Sequence, residues 1–180
     1  MSDTREIEFT RIDEALIARA SAVIRLADAR EKTIVTAESC TGGLLAAVLS
    51  DAPGAGTRLH GGFVTYTKEQ KSAALGIAPE LLDRAGAVCP TVTFAMTQGA
   101  LAASTADIAV AITGVAGPAQ DEDGNPVGYV CIAAATRDGD LVSVERHFGD
   151  IGRGAVRYRA VEEALTLLCR VLEAYNIKVR

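Results

Sequence analysis

Tryptophan is absent from the 180 residues, other aromatics are sparse, and His60 and His147 are the only histidines. That leaves little material for a histidine-rich metal site or a Ser-His-Asp triad. Cys40, Cys89, Cys131 and Cys169 lie far apart with no CxxC pair. Their spacing fits reduced thiols better than a disulfide framework or a zinc site. No apolar run reaches membrane-spanning length, and the polar, acidic N-terminus lacks the layout of a signal peptide. Lys and Arg number 18 against 23 Asp and Glu, a formal charge of −5. The basic residues are scattered except near the C-terminus, whereas a nucleic-acid partner needs a concentrated basic face. There is no GxxxxGK[ST] phosphate loop and no GxSxG elbow, and Gly54-x-Gly56 lacks the third glycine of a dinucleotide fingerprint. The expectation is one cytoplasmic domain over residues 1–180, large enough for a sizeable core, with no metal, membrane or nucleic-acid partner.

What is present is alternation. Ile12, Leu16, Ala20, Val23 and Ala27 recur at helical spacing, so residues 12–29 read as an amphipathic helix. A β-branched strand over 33–37 follows, then a polar junction and a helix to about Ser50. Residues 51–56 read as a turn-rich loop and 61–66 as a strand entered through glycines. Thr67-x-x-Gln70 has capping-box spacing, and Pro79 and Pro90 suit first turns of helices. Ile108–Ile112 is a continuous apolar run, as in a strand buried on both faces. Strands at 127–135 and 141–147 flank the hairpin-like Asp138-Gly139. Asp150 is placed to cap a last helix with the stripe Val161, Ala164, Leu165, Leu168, Leu172 and Tyr175. This order predicts an α/β domain of three layers, α/β/α, with a mixed, mainly parallel sheet.

The junction Ala37-Glu38-Ser39-Cys40-Thr41-Gly42-Gly43 suits a site better than a core. Its glycines let backbone approach a ligand, and free N–H groups at a helix start favour an anion. The bland alternative is that Ser39 or Thr41 caps the helix. Glu38 is open to acid–base chemistry, or it serves as a structural acceptor beside the helix start. Thr113-Gly114-Val115-Ala116-Gly117-Pro118 follows the central strand in the equivalent place; if the two strands are parallel, both clusters share one rim. Lys71 falls in the first turn of the helix opened by Thr67, where the dipole and any burial disfavour its ammonium form, although a solvated lysine is the commoner case. Tyr66 reads equally as a core ring with a wet hydroxyl. Asp121-Glu122-Asp123 reads as a solvated loop that has the charge to attract a divalent cation.

Five ordered pieces together resemble the CinA C-terminal domain family, over about residues 34–168. They are Ala37–Gly43, Gly61–Tyr66 with Lys71, Gly86-Ala87-Val88, Thr113–Pro118 and Pro126-Val127-Gly128. The resemblance implies a metal-free, cofactor-free hydrolysis of nicotinamide mononucleotide to nicotinic acid mononucleotide and ammonia, in pyridine nucleotide salvage, by a homo-oligomer, with a dimer expected first. It implies a Ser39/Lys71 dyad, with Tyr66 and Thr113 orienting the substrate or the lysine. Thr41, Gly42, Gly43 and Gly114 would hold the phosphate or the oxyanion through backbone N–H groups. Arg153 would pair with the phosphate or keep Lys71 neutral. The chain also departs from the pattern: Gly56 stands where relatives carry a second active-site serine, Cys89 replaces a serine and Thr91 a glutamate. Gly56 therefore raises a second reading, a catalytically silent nucleotide-binding or regulatory module, and Cys40 or Ser39 acting on a different amide is a third.

Overall fold

The computed structural model describes residues 12–175. Helix α1 (Glu14–Ala29) is capped by Asp13, whose carboxylate accepts the N–H groups of Ala15 and Leu16. It leads into β1 (Ile34–Glu38), α2 (Leu44–Ser50), the single turn α3 (Ala55–Arg58) and β2 (Leu59–Val64). Then come α4 (Lys68–Leu75), α5 (Pro79–Ala85), α6 (Pro90–Ala102), β3 (Ile108–Gly114), β4 (Tyr129–Thr136), β5 (Leu141–His147) and α7 (Arg153–Ala174). The strands form one sheet in the order β2-β1-β3-β4-β5. Strands β2, β1 and β3 are parallel, while β4 runs antiparallel to both β3 and β5. The sheet is therefore mixed and mainly parallel, as expected.

Alternation along the strands sorts the core into two faces. Ile34, Ile108, Val110, Ile112, Val130 and Ile132 pack against α1, α2 and α7. Val35, Ala37, Ala109, Ala111 and Ala135 pack against α4, α5 and α6. The second face is nearly all alanine, so α6 can lie close to the sheet through Val92, Met96 and Ala100. This is the three-layer α/β/α arrangement. The stripe of α7 is buried from Val161 to Leu172, and the Asp138-Gly139 hairpin joins β4 to β5 as read from the sequence.

Three local expectations are corrected. Helix α7 starts after Gly152 with no side-chain cap, because Asp150 lies too far upstream to reach its first N–H groups. Residues 55–58 form a helical turn where the loop was expected to continue, and β2 accordingly ends at Val64. Tyr66 is thus off the strand and 55% exposed, so it is not a core ring. Helix α4, by contrast, starts as read, with the Thr67 hydroxyl accepting the Gln70 N–H.

Gly99 fixes where α4 can sit. A Cβ on Gly99 would overlap the carbonyl oxygen and the side chain of Leu75, at the end of α4. Since α4 carries Lys71, this close approach is part of the site's geometry. Gly99→Ala is expected to lower the urea unfolding midpoint with an unchanged slope, a loss of about 1–3 kcal/mol from overpacking.

Candidate active site

Strands β1 and β3 are parallel neighbours in register, Glu38 opposite Ile112, so the segments leaving their carboxyl ends lie on one rim. Ser39 and Thr113 are the residues that follow that pair. From the other side, α4 brings Lys71 in from its first turn. Lys71 is 1% exposed, and its Nζ lies 2.9 Å from Ser39 Oγ and 3.0 Å from the Thr65 carbonyl oxygen. Both partners are neutral. Burial pushes the lysine down from 10.5 to about 8, while the neighbouring Cys40 thiol opposes the shift slightly. Arg153 is not among the causes, which removes one of the two roles expected for it. Cys40 itself is 6% exposed and is pushed up to about 12, chiefly by burial. It is a neutral thiol at physiological pH and a poor nucleophile.

Ser39 and Thr41 do not cap α2. That work is done by Glu38, fully buried, whose carboxylate accepts the N–H groups of Gly43, Leu45 and Ala46 and the Thr36 hydroxyl. The Gly42 N–H in turn donates to the Ser39 carbonyl. Gly42 and Gly43 take φ of 60° and 93°, so the tight turn needs glycine at both places. Their N–H groups are therefore spent inside the loop.

Ser39, Lys71, Tyr66, Thr113, Gly114 and Arg153 all line one cavity of about 440 Å³, within the usual range for a small-molecule site. Thr41, Gly42 and Gly43 do not line it. Arg153, the first residue of α7, donates to the Gly117 carbonyl at 2.6 Å and to the Tyr66 hydroxyl at 2.7 Å. The Thr113 hydroxyl donates to the Ala87 carbonyl and so ties the Gly86–Val88 segment to β3.

Some of the lining was not legible as such. The acidic stretch 121–123 is seated on the rim, not free in solvent: Asp123 accepts the Ala87 N–H, and Lys68 pairs with Glu122 and Asp123 at 2.6 and 3.3 Å. No group of three or more His, Cys, Asp or Glu among the described residues is placed to hold a metal. Arg157, one turn beyond Arg153, donates to the Thr41 carbonyl at 2.7 Å. The i, i+4 spacing of the two arginines was the available signal.

The family profile of the CinA C-terminal domain matches residues 17–172. The chain belongs to that family. A CinA-like protein of Thermosynechococcus vestitus is 42% identical over 85% of this chain and 37% of its own length. A CinA-like protein of Mycobacterium marinum is 45% identical over 79% of this chain and 33% of its own. The chain thus spans little more than a third of those CinA relatives. It spans 94% of the nicotinamide-nucleotide amidohydrolase PncC of Escherichia coli, at 41% identity over 87% of this chain. The crystal structure of the competence/damage inducible protein CihA from Agrobacterium tumefaciens superposes with a TM-score of 0.86 at 37% identity, covering 92% of this chain and 99% of that one. No helix among the described residues is long and apolar enough to cross a membrane.

A buried amine with a depressed pKa costs stability below about pH 8, because the unfolded chain binds a proton that the fold resists. As pH rises from about 8 towards 10.5 the cost fades. Lys71→Met is therefore expected to stabilise the protein at pH 7 by on the order of 2 kcal/mol, after subtracting the lost hydrogen bond to Thr65. The gain should shrink in unfolding curves taken above pH 10.

Proposed function

We propose that this chain hydrolyses nicotinamide mononucleotide to nicotinic acid mononucleotide and ammonia, in pyridine nucleotide salvage in the cytoplasm. The observation that carries the reading is the Lys71 amine, buried 2.9 Å from the Ser39 hydroxyl and, among the described residues, paired with no carboxylate. The name of the PncC relative and its end-to-end coverage support the substrate.

In the neutral amine, one N–H donates to the Thr65 carbonyl, and the nitrogen, 2.9 Å from Ser39 Oγ, has a lone pair free to accept the hydroxyl proton. The Ser39 oxygen attacks the carboxamide carbon while Lys71 takes its proton. The tetrahedral adduct collapses, the C–N bond breaks, and Lys71 delivers that proton to the leaving nitrogen as ammonia departs. Water then attacks the resulting ester, again giving its proton to Lys71, which hands it to Ser39 Oγ as the ester C–O bond breaks and the acid leaves. Arg153, at the start of α7 with only neutral partners, supplies a cation and a helix N-terminus for the substrate phosphate. The Tyr66 hydroxyl accepts from Arg153, which leaves its own proton to donate into the cavity.

Gly56 gives no support to a silent module. It lies in α3, which feeds directly into Leu59, and Leu59 pairs with Ile34 at the opening of β1. Ser39 follows the closing residue of β1, about 15 Å away along the sheet. A Cβ on Gly56 would meet nothing within 4 Å.

Ammonia release from nicotinamide mononucleotide tests the reading. The wild-type kcat should rise with pH to a plateau above about 8, since only about a tenth of Lys71 is neutral at pH 7. Ser39→Ala should lose at least about a thousandfold. Arg153→Ala should raise KM about tenfold and leave the rising limb where it is, because burial and not Arg153 sets the lysine. No ammonia from pure protein would overturn the reaction, and full activity in Ser39→Ala would overturn the residue.

A further inference from the structure

Arg157 takes no part in the chemistry above, yet its guanidinium is turned onto the nucleophile loop from behind. Its Nη2 donates to the Thr41 carbonyl at 2.7 Å and lies 3.7 Å from where a Gly42 Cβ would stand. Its Nε is buried with no hydrogen-bond partner, and it pairs with no carboxylate among the described residues. A buried charge of opposite sign bonds to the same loop at Gly43. Glu38 is fully buried, with its carboxylate held by backbone N–H groups and a hydroxyl, none of them a cation. Residues 39–43 thus bond to a buried carboxylate at Gly43 and to a part-buried guanidinium at Thr41. Cys40, the residue after Ser39, feels both: beyond the dominant effect of burial, Lys71 and, to a lesser degree, Arg157 pull its thiol down while Glu38 pushes it up.

This arrangement matters for a reaction that places negative charge beside the loop. When Ser39 attacks, the carbonyl oxygen of the substrate becomes an oxyanion. The Glu38 charge opposes that step and the Arg157 charge favours it. Glu38 cannot be dispensed with, because it satisfies the start of α2 and holds Gly43 in place. An opposing cation on the same loop offsets its electrostatic cost, and α7 delivers one from the helix that already carries Arg153.

We propose that Arg157 is a positioning residue of the reaction. Its guanidinium holds the Thr41 carbonyl, and with it the Ser39–Gly43 loop, in the attacking geometry, and its charge offsets that of Glu38 there. The kinetic part of the test rests on the amidohydrolase reading; the exchange part does not. Arg157→Met is expected to lower kcat for nicotinamide mononucleotide by about ten- to a hundredfold with KM changed less than about twofold. Arg157→Lys, which keeps the charge and one donor, should recover at least about a third of kcat. In hydrogen–deuterium exchange, the peptide spanning residues 39–43 should exchange about tenfold faster in Arg157→Met, with the α1 and α6 peptides unchanged. Wild-type kcat in Arg157→Met overturns the proposal, as does an equal loss in the Lys and Met variants or unchanged exchange in the loop. If wild-type protein releases no ammonia, the amidohydrolase reading fails by itself and the exchange comparison alone decides the role of Arg157.

Discussion

A primary amine kept out of water against a hydroxyl and a carbonyl, with no counter-ion, is the constraint on which the rest of this structure depends. An ammonium in that place would lack hydration and a counter-ion among the described residues, so burial brings the lysine down to about 8 and makes the neutral base accessible near neutral pH. Several separate features serve the same end. The Thr67 cap starts α4 at the turn that aims Lys71 inward. The bare surface of Gly99 lets the far end of α4 settle on α6. The Thr65 carbonyl takes an N–H of Lys71 and so helps hold the amine 2.9 Å from the Ser39 hydroxyl. The buried lysine is a local instability that the surrounding core sustains, as functional sites commonly require.

Charge around the cavity is partitioned in a way that protects this base. The carboxylates that could hold Lys71 protonated are engaged elsewhere: Glu38 with the start of α2, Glu122 and Asp123 with Lys68. Pairing with Glu122 also holds Lys68 above its ordinary value, so the two lysines of α4 behave oppositely within one turn. Arg153 keeps only neutral partners and stays available to an anion. The thiol nearest the dyad is pushed up by burial and leaves the nucleophile's role to serine.

Much of the fold was legible because it follows local periodicity. The apolar run at 108–112 is the buried strand it resembled, and Thr67, Pro79 and Pro90 start the helices they announced. Cys89, in place of a serine, still caps α6, its sulfur accepting the Val92 N–H. What escaped local reading depends on contacts distant in sequence. Ser39 and Lys71 are 32 residues apart, and no spacing rule connects them; the family resemblance did. The docking of Asp123 on Ala87 and the reach of Arg157 to Thr41 span 36 and 116 residues. Asp150 misled because its type suits a cap, whereas the chain turns through Gly149 and Gly152 before α7 begins. Gly56 was singled out from relatives alone; in this chain it lies in α3, at the end of β1 opposite Ser39.

The titration of Lys71 itself tests the account most directly. With the lysine side chains labelled at Cε, the Lys71 resonance can be assigned by its loss in Lys71→Met and followed with pH. The account predicts a midpoint near 8, set by burial and unmoved in Arg153→Ala. A midpoint at the ordinary lysine value of about 10.4 would mean that burial does not depress the amine, and would contradict the claim that this fold makes a neutral base available against Ser39 near pH 8.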